Sequence, residues 1–197
     1  MYKIITLFIS LIPFQSLKII FYEILGYKIK NSKIGFFVIF NNKSVKINNS
    51  KIKSFNLIFS ETIFINNSRL SNFNYFKNLS SLILDESILG KFNKFTADQR
   101  YRANQNTLNI KNTSIGKLNY FDNSSNISII GSKIQNYCQF WTHEFDTARK
   151  IKFGKISISS NVVINNYVII LPNVEISNEI IIIKSSVVHK NLYEKGT

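Results

Sequence analysis

Between residues 156 and 188 the chain repeats every six residues. Ile158, Ile164, Ile170, Ile176, Ile182 and Val188 share one phase, and Ile156, Val162, Val168, Val174, Ile180 and Ser186 stand two places before them. Eleven of these twelve are β-branched. In a chain that is 45% hydrophobic, eleven apolar picks in a row have odds of roughly 10⁻⁴ before the choice of register. An α-helix, at 3.6 residues per turn, cannot keep side chains six apart on one face. An ordinary hairpin sheet needs turn signals, which here do not interrupt the rhythm. Six residues read instead as a short strand plus a corner. Three such units make an 18-residue triangular coil, and stacked coils pair strand on strand about 4.8 Å apart, which is a parallel β-helix.

The same period echoes upstream. Ile47, Ile65 and Ile83 are 18 apart, as are Ile52, Leu70 and Ile88, and VKINNSKI (45–52), IFINNSRL (63–70), LNIKNTSI (108–115) and ISIIGSKI (127–134) share one pattern. Corners need unusual backbone angles, and the chain has only seven Gly. Asn is among the non-glycine residues most tolerant of the left-handed region, so Asn48-Asn49, Asn66-Asn67 and Asn165-Asn166 are expected at corners. Two stretches break the rhythm: Lys91–Asn106, polar and basic, and Tyr137–Lys155, which contains CQFWTHEFDTARK. Loops that project from a regular scaffold are where function concentrates.

Composition excludes several classes. One Cys in 197 residues rules out a disulfide framework and a Cys-rich zinc site. Two His residues, His143 and His189, make a multi-His metal centre hard to build from one subunit. The 25 Lys and Arg against 11 Asp and Glu give a net charge of +14, which suits an anionic membrane, a phosphorylated ligand or nucleic acid. The positive charge is spread along the chain and no nucleic-acid motif is present, and an Asn- and Lys-rich, AT-biased coding composition accounts for part of it.

Residues 1–27 form a separate apolar segment ahead of the solenoid at 28–192. Ile4 to Leu25 is rich in Ile, Leu and Phe but is interrupted by Pro13, Gln15, Ser16, Lys18, Tyr22 and Glu23. A spanning helix needs about 20 predominantly apolar residues, and no small-x-small cleavage site follows. Two short amphipathic helices broken at Pro13 are expected, the second ending with Gly26 as its C′ residue. They would pack on the end of the solenoid or lie on a membrane surface.

CQFWTHEFD (138–146), followed by hexapeptides ending in SSVVHKNL (185–192), resembles the hexapeptide-repeat acyltransferases, and is most similar to the bacterial sugar O-acetyltransferases of surface-polysaccharide synthesis. ILGYKIKNSKIG (24–35) is similar to their opening helix and first coil. The resemblance implies an all-β, left-handed β-helix assembled as a homotrimer in the cytoplasm. If the amphipathic segment does lie on a membrane, residues 1–26 would make the contact, on the inner face. Excursions are expected near 91–106 and 137–155, and 193–197 reads as a truncated tail. The resemblance also implies an acetyl group passed from acetyl-CoA to a sugar hydroxyl. A hydroxyl acceptor needs a base to take its proton as it attacks, and by motif that base is His143. Glu144 or Asp146 would orient it, with Asp146 favoured, as in triad logic. Trp141 and Phe140 would wall the acceptor or simply anchor the loop, and Asn119 would contact the acceptor. Lys184 and Lys190 suit CoA phosphates, with Ser185-Ser186 as the small step that lets the pantetheine arm pass. No metal is implied. His189 reads as an ordinary surface residue and Cys138 as an inert small one.

Three rival readings remain at this level. A basic solenoid that grips an anionic polymer would show steep salt dependence and no need of His143. A decayed, non-catalytic solenoid would fold without binding CoA. A trimeric metal enzyme on the same fold is opposed by the two-His count.

Overall fold

In the computed structural model, which describes residues 2–98 and 106–193, the apolar columns of the sequence become the inside of a prism. The fold is a left-handed parallel β-helix of about eight coils preceded by two short helices. One face is an eight-stranded parallel sheet whose inward column is Ile34, Ile52, Leu70, Leu89, Ile115, Ile134, Ile164 and Ile182. The other two faces merge into one fourteen-stranded sheet, because Leu57–Asn66 and Tyr75–Asp85 run through the corner between them. All the coil-to-coil pairings are parallel, and all but one keep a constant register, so each rung fixes the height of the next.

The second inward column is aromatic. Phe76, Phe95, Phe121 and Phe140 are fully buried, and their rings stack at 4.6, 4.4 and 4.3 Å with interplanar angles of 3°, 11° and 4°. The rung spacing of a parallel sheet is close to a stacking distance, so identical side chains on successive rungs form a ladder. Polar ladders line two corners by the same logic. Asn74, Asn93, Asn119 and Cys138 each donate the backbone N–H to the side-chain Oδ1 of the Asn one coil earlier, at 2.9, 3.0, 3.0 and 2.8 Å. Ser50, Ser68, Ser87 and Thr113 do the same to the preceding Ser hydroxyl, at 3.0, 3.1, 3.0 and 3.2 Å. Buried polar residues are tolerated here because each meets a partner on the next rung.

Two corners hold left-handed backbone in every coil. One column is Asn31, Asn49, Asn67, Glu86, Asn112, Gly131, Asn161 and Glu179. The other is Phe37, Phe55, Phe73, Phe92, Leu118, Tyr137, Tyr167 and Ser185, with φ between 54° and 63°. Bulky residues rarely adopt this region. Here ring stacking offsets part of the cost: Phe55–Phe73, Phe73–Phe92 and Tyr137–Tyr167 lie at 5.0, 4.9 and 5.0 Å. Asn49 and Asn67 take left-handed corner positions as expected, whereas Asn165-Asn166 lie at a corner, between two wall strands, without adopting that backbone. In that coil Asn161 and Tyr167 take the left-handed positions, while Asn166 Oδ1 accepts from the Asn136 backbone at 3.0 Å.

The upstream echo also needs correction. Asn78, with φ 62°, is an extra residue in its coil, and the register shifts between Phe59 and Ser60. From there Ile65 pairs with Leu84, not Ile83, and Leu70 with Leu89, not Ile88. Ile88 is 53% exposed as a result. The excursions are narrower than expected. Lys94–Thr96 lies in the wall, and residues 99–105 of the first stretch fall outside the described residues. Gln139–Phe140 is likewise a wall strand, and only the hairpin of His143–Phe145 and Ile151–Phe153 projects. Of the tail, 194–197 lie outside the described residues.

Helix α1 (Tyr2–Ser10) and helix α2 (Gln15–Ile24) cover the open end of the first coil. Gly26, at φ 84°, sits just past the C-cap Leu25. The unpaired carbonyls of the first coil are met by helix side chains: Thr6 Oγ1 donates to Phe40 O at 2.6 Å, Lys18 Nζ to Gly35 O at 2.8 Å and Tyr22 OH to Val38 O at 2.9 Å. A solenoid needs such an end cap because its edge strands otherwise offer free backbone groups. Burial pushes the Lys18 amine below its usual range.

Candidate active site

His143 is carried at the root of the hairpin that leaves the prism after the wall strand Gln139–Phe140. Its ring neighbours are aromatic, with Trp141, Phe145 and Phe153 at 6.2, 6.2 and 6.3 Å between centroids. Gly154 returns the chain to the prism, its N–H donating to Thr142 O at 2.9 Å. A Cβ at Gly154 would collide with the Asn173 backbone nitrogen, so the return has room only for glycine.

The partner of His143 is Asp122. His143 Nδ1 stands 2.7 Å from Asp122 Oδ2. Asp122 belongs to the wall strand Tyr120–Asp122 of the preceding coil, is 3% exposed, and is surrounded by donors. Thr142 N–H reaches Oδ2 at 3.0 Å, and Ser124 Oγ reaches Oδ1 at 2.7 Å. The Thr142 hydroxyl lies 3.1 Å from Oδ2 and itself accepts from Ser125 N–H at 2.9 Å. A carboxylate held by such donors accepts from His143 as well. That assigns the proton to Nδ1 and leaves the Nε2 lone pair free. This is the tautomer a general base needs.

In front of the pair lies an open cleft of about 490 Å³. Its walls are the outward residues of successive rungs, Tyr75, Lys77, Lys94, Thr96 and Tyr120, closed at one side by Asn78, Ala97 and Asp98. Thr96 Oγ1 and Tyr120 OH are 3.2 Å apart, and Lys94 Nζ lies 5.5 Å from the Tyr120 ring centre. The cleft thus presents hydroxyl and ammonium donors on one flank and the imidazole on the other. Among the described residues, no group of three or more His, Cys, Asp or Glu side chains is placed to hold a metal ion.

The residues singled out from the sequence fall in different places. Trp141 stands beside the site, 5.0 Å from the Tyr120 ring, with its indole N–H donating to Gln139 Oε1 at 3.1 Å. Phe140 does not face the cleft, since it is a rung of the internal phenyl ladder. Asn119 is also inside, 1% exposed. Its Oδ1 accepts from Cys138 N–H, and its Nδ2 donates to Gln135 O at 2.9 Å. Asp146 is not the partner of the imidazole. It closes the tip of the hairpin, accepting from Ala148 and Lys150 N–H at 2.9 and 2.8 Å, and its other oxygen lies 3.9 Å from Lys152 Nζ. Glu144 is exposed and pairs across the hairpin with Lys152. Lys184, Ser185, Ser186 and Lys190 lie in the last coil, with Ser185 in the left-handed corner column and Lys184 and Lys190 exposed. Cys138 is buried, which pushes its thiol up, and it donates to Asn165 O at 3.0 Å.

Asp122 was missed, although a signal for it existed. Gln139 pairs with Tyr120, so the coil here is 19 residues long and Asp122 is the rung-mate of Trp141. Spacing counted coil to coil, not along the hairpin, points to it.

No family model matches the chain, and no curated protein does. Among solved structures it is similar to the polySia-specific acetyltransferase NeuO, at 17% identity, over 83% of this chain and 73% of that one, with a TM-score of 0.44. A likeness of that size fixes neither activity nor site.

Proposed function

We propose that the protein is a CoA-dependent O-acetyltransferase acting on a sugar hydroxyl, with His143 as general base and Asp122 as the residue that orients it. The observation that carries this reading is the 2.7 Å contact between a buried, donor-held carboxylate and the only histidine on the cleft. A pair built across two coils, with Thr142 and Ser124 completing it, also favours an enzyme over a decayed solenoid.

The chemistry follows from the tautomer. An acceptor hydroxyl in the cleft donates its hydrogen bond to His143 Nε2. As its oxygen attacks the thioester carbonyl, the proton passes to Nε2 and the new C–O bond forms. Asp122 stabilises the imidazolium through Nδ1–H. The tetrahedral oxyanion collapses, the C–S bond breaks, and the leaving thiolate takes the proton back from Nε2. No acyl-enzyme is needed, and Cys138, buried away from the cleft, has no part.

Acetyl-CoA is a substrate in this reading. The last coils suit its long arm, since Ile181, Ile183 and Val187 are exposed there beside Lys184 and Lys190. Apolar contact with the pantetheine and ammonium contact with the phosphates is the combination CoA requires. The reading carries a homotrimer, with the donor held between neighbouring prisms. The deciding experiment measures free-thiol release from acetyl-CoA with a panel of sugars. Wild type should release thiol with at least one acceptor, and His143→Ala should lower the rate by about 10²–10⁴. No release with any acceptor, together with no CoA binding, overturns the reading.

A further inference from the structure

Helices α1 and α2 bury polar side chains and expose many apolar ones. The side chains they press against the prism include Thr6, Ser10, Lys18 and Tyr22, all buried and all polar or carrying a hydroxyl. Three of these satisfy first-coil carbonyls, and Ser10 accepts at its own carbonyl from Phe37 N–H at 3.2 Å. Ile9 is buried and Ile5, Ile12, Ile19 and Leu25 pack partly against the core, but the other large apolar residues are left outside. Ile4, Phe8, Phe14 and Ile24 are 64, 66, 71 and 73% exposed, and Leu17 and Ile20 add 43 and 51%. Soluble surface helices do the reverse, and contiguous apolar patches of this kind mark an interaction surface. Between the helices, a shallow recess of about 500 Å³ is walled almost wholly by Ile5, Phe8, Ile9, Ile12, Phe21 and Ile24.

Charge beside the patch indicates what covers it. Gln15, next to Phe14, holds the first-coil strand through Ser32 O and Ile34 N at 3.4 and 3.3 Å. The residue between those two is Lys33, which points outward. Lys33 pairs in register with Lys51, and Lys51 with Arg69. At about 4.8 Å per rung, this column extends about 10 Å from the helices, comparable with one Debye length at physiological salt. With Lys53 it lines a second recess, of about 680 Å³, that has no acidic side chain. Among the described residues no helix is long and apolar enough to cross a bilayer.

We propose that the N-terminal helices and the Lys33–Lys51–Arg69 column form one docking surface for an anionic membrane, the protein lying on the bilayer without spanning it. Apolar side chains would enter the boundary between headgroups and acyl chains while the cationic column meets the headgroups. A second copy of this chain would cover the apolar residues but gains nothing from the cationic column beside them.

The test is flotation of the full-length protein with vesicles of phosphatidylcholine alone or with 30% phosphatidylglycerol, together with light scattering of the lipid-free protein. Phe8→Ser/Phe14→Ser/Ile24→Ser alters only residues exposed on the helices, and Lys33→Glu/Lys51→Glu only the column. Circular dichroism and thermal unfolding confirm that each variant folds. Wild type is expected to float with the anionic vesicles at least tenfold more than with neutral ones, with the excess lost at high salt. Each variant should lose at least tenfold, with the oligomeric state unchanged. Three outcomes would each overturn the proposal: no flotation with the anionic vesicles, equal flotation of wild type and the triple-serine variant, or dissociation of an oligomer by the triple-serine variant. The last would assign the apolar face to a second copy. Thiol-release activity plays no part in the readout, so this surface and the acetyltransferase reading stand or fall separately.

Discussion

Two aspartates flank His143, one in the prism wall and one in the hairpin, and only the wall aspartate touches it. Asp146 is three residues away in sequence and shares the hairpin, yet its carboxylate is spent on closing the turn. Asp122 is a full coil away and lies 2.7 Å from the imidazole. In a solenoid, neighbours in space are residues one coil apart, and a residue's place on its rung decides what it meets. A hairpin that leaves the prism takes its tip away from the wall, while its root stays in register with the coil before it.

The sharpest way to break this contrast is to exchange the two carboxylates for amides. Asp122→Asn should reduce turnover by about 10²–10⁴, because an amide can present its donor to Nδ1 and favour the wrong tautomer. Asp146→Asn should stay within a fewfold of wild type. Equal losses in steady-state kinetics would mean that the hairpin carboxylate acts as well. Next in size, Phe121→Ala removes a fully buried ring next to Asp122 in the wall. It should cost about 3–5 kcal/mol in denaturant unfolding and lower turnover too, whereas Ala148→Ser at the exposed hairpin tip should change neither.

Asn119→Ala offers a finer test. It leaves the Cys138 N–H without its acceptor, so about 1–3 kcal/mol of stability should go while the KM for the acceptor holds. A raised KM with unchanged stability would return Asn119 to the substrate. The smallest effect concerns Cys138. Its thiol is buried and pushed up, so a thiol-specific reagent should label it only on unfolding, and Cys138→Ala should leave turnover within about twofold.

Much of the fold was legible because the core is written in one-letter columns. Ile158 to Val188 at period six needed no alignment, and the phrases at 45, 63, 108 and 127 fall on one column of paired strands. What misled in the upstream echo was an inserted residue. Asn78 puts the pairs of the next coil one residue out of step, and an 18-residue count cannot show it. The aromatic corner was also illegible, since local propensity argues against Phe55, Phe73 or Tyr167 in left-handed backbone and only stacking with the next coil offsets that cost. At the site, His143 was visible from its motif and the two-histidine count. Its partner was not, because hydrogen-bond distance follows rungs and the motif follows the chain. Phe140 and Asn119 were assigned outward for the same reason, as the parity of a strand is set by its neighbours above and below.

The contact between His143 and Asp122 spans one seam between adjacent coils. Its length therefore gauges how faithfully one turn of the prism is laid on the next. Loosening of that seam would separate imidazole from carboxylate long before the β-sheet signal of the whole helix diminished, so under the proposed function turnover should report the integrity of a joint that bulk spectroscopy averages away.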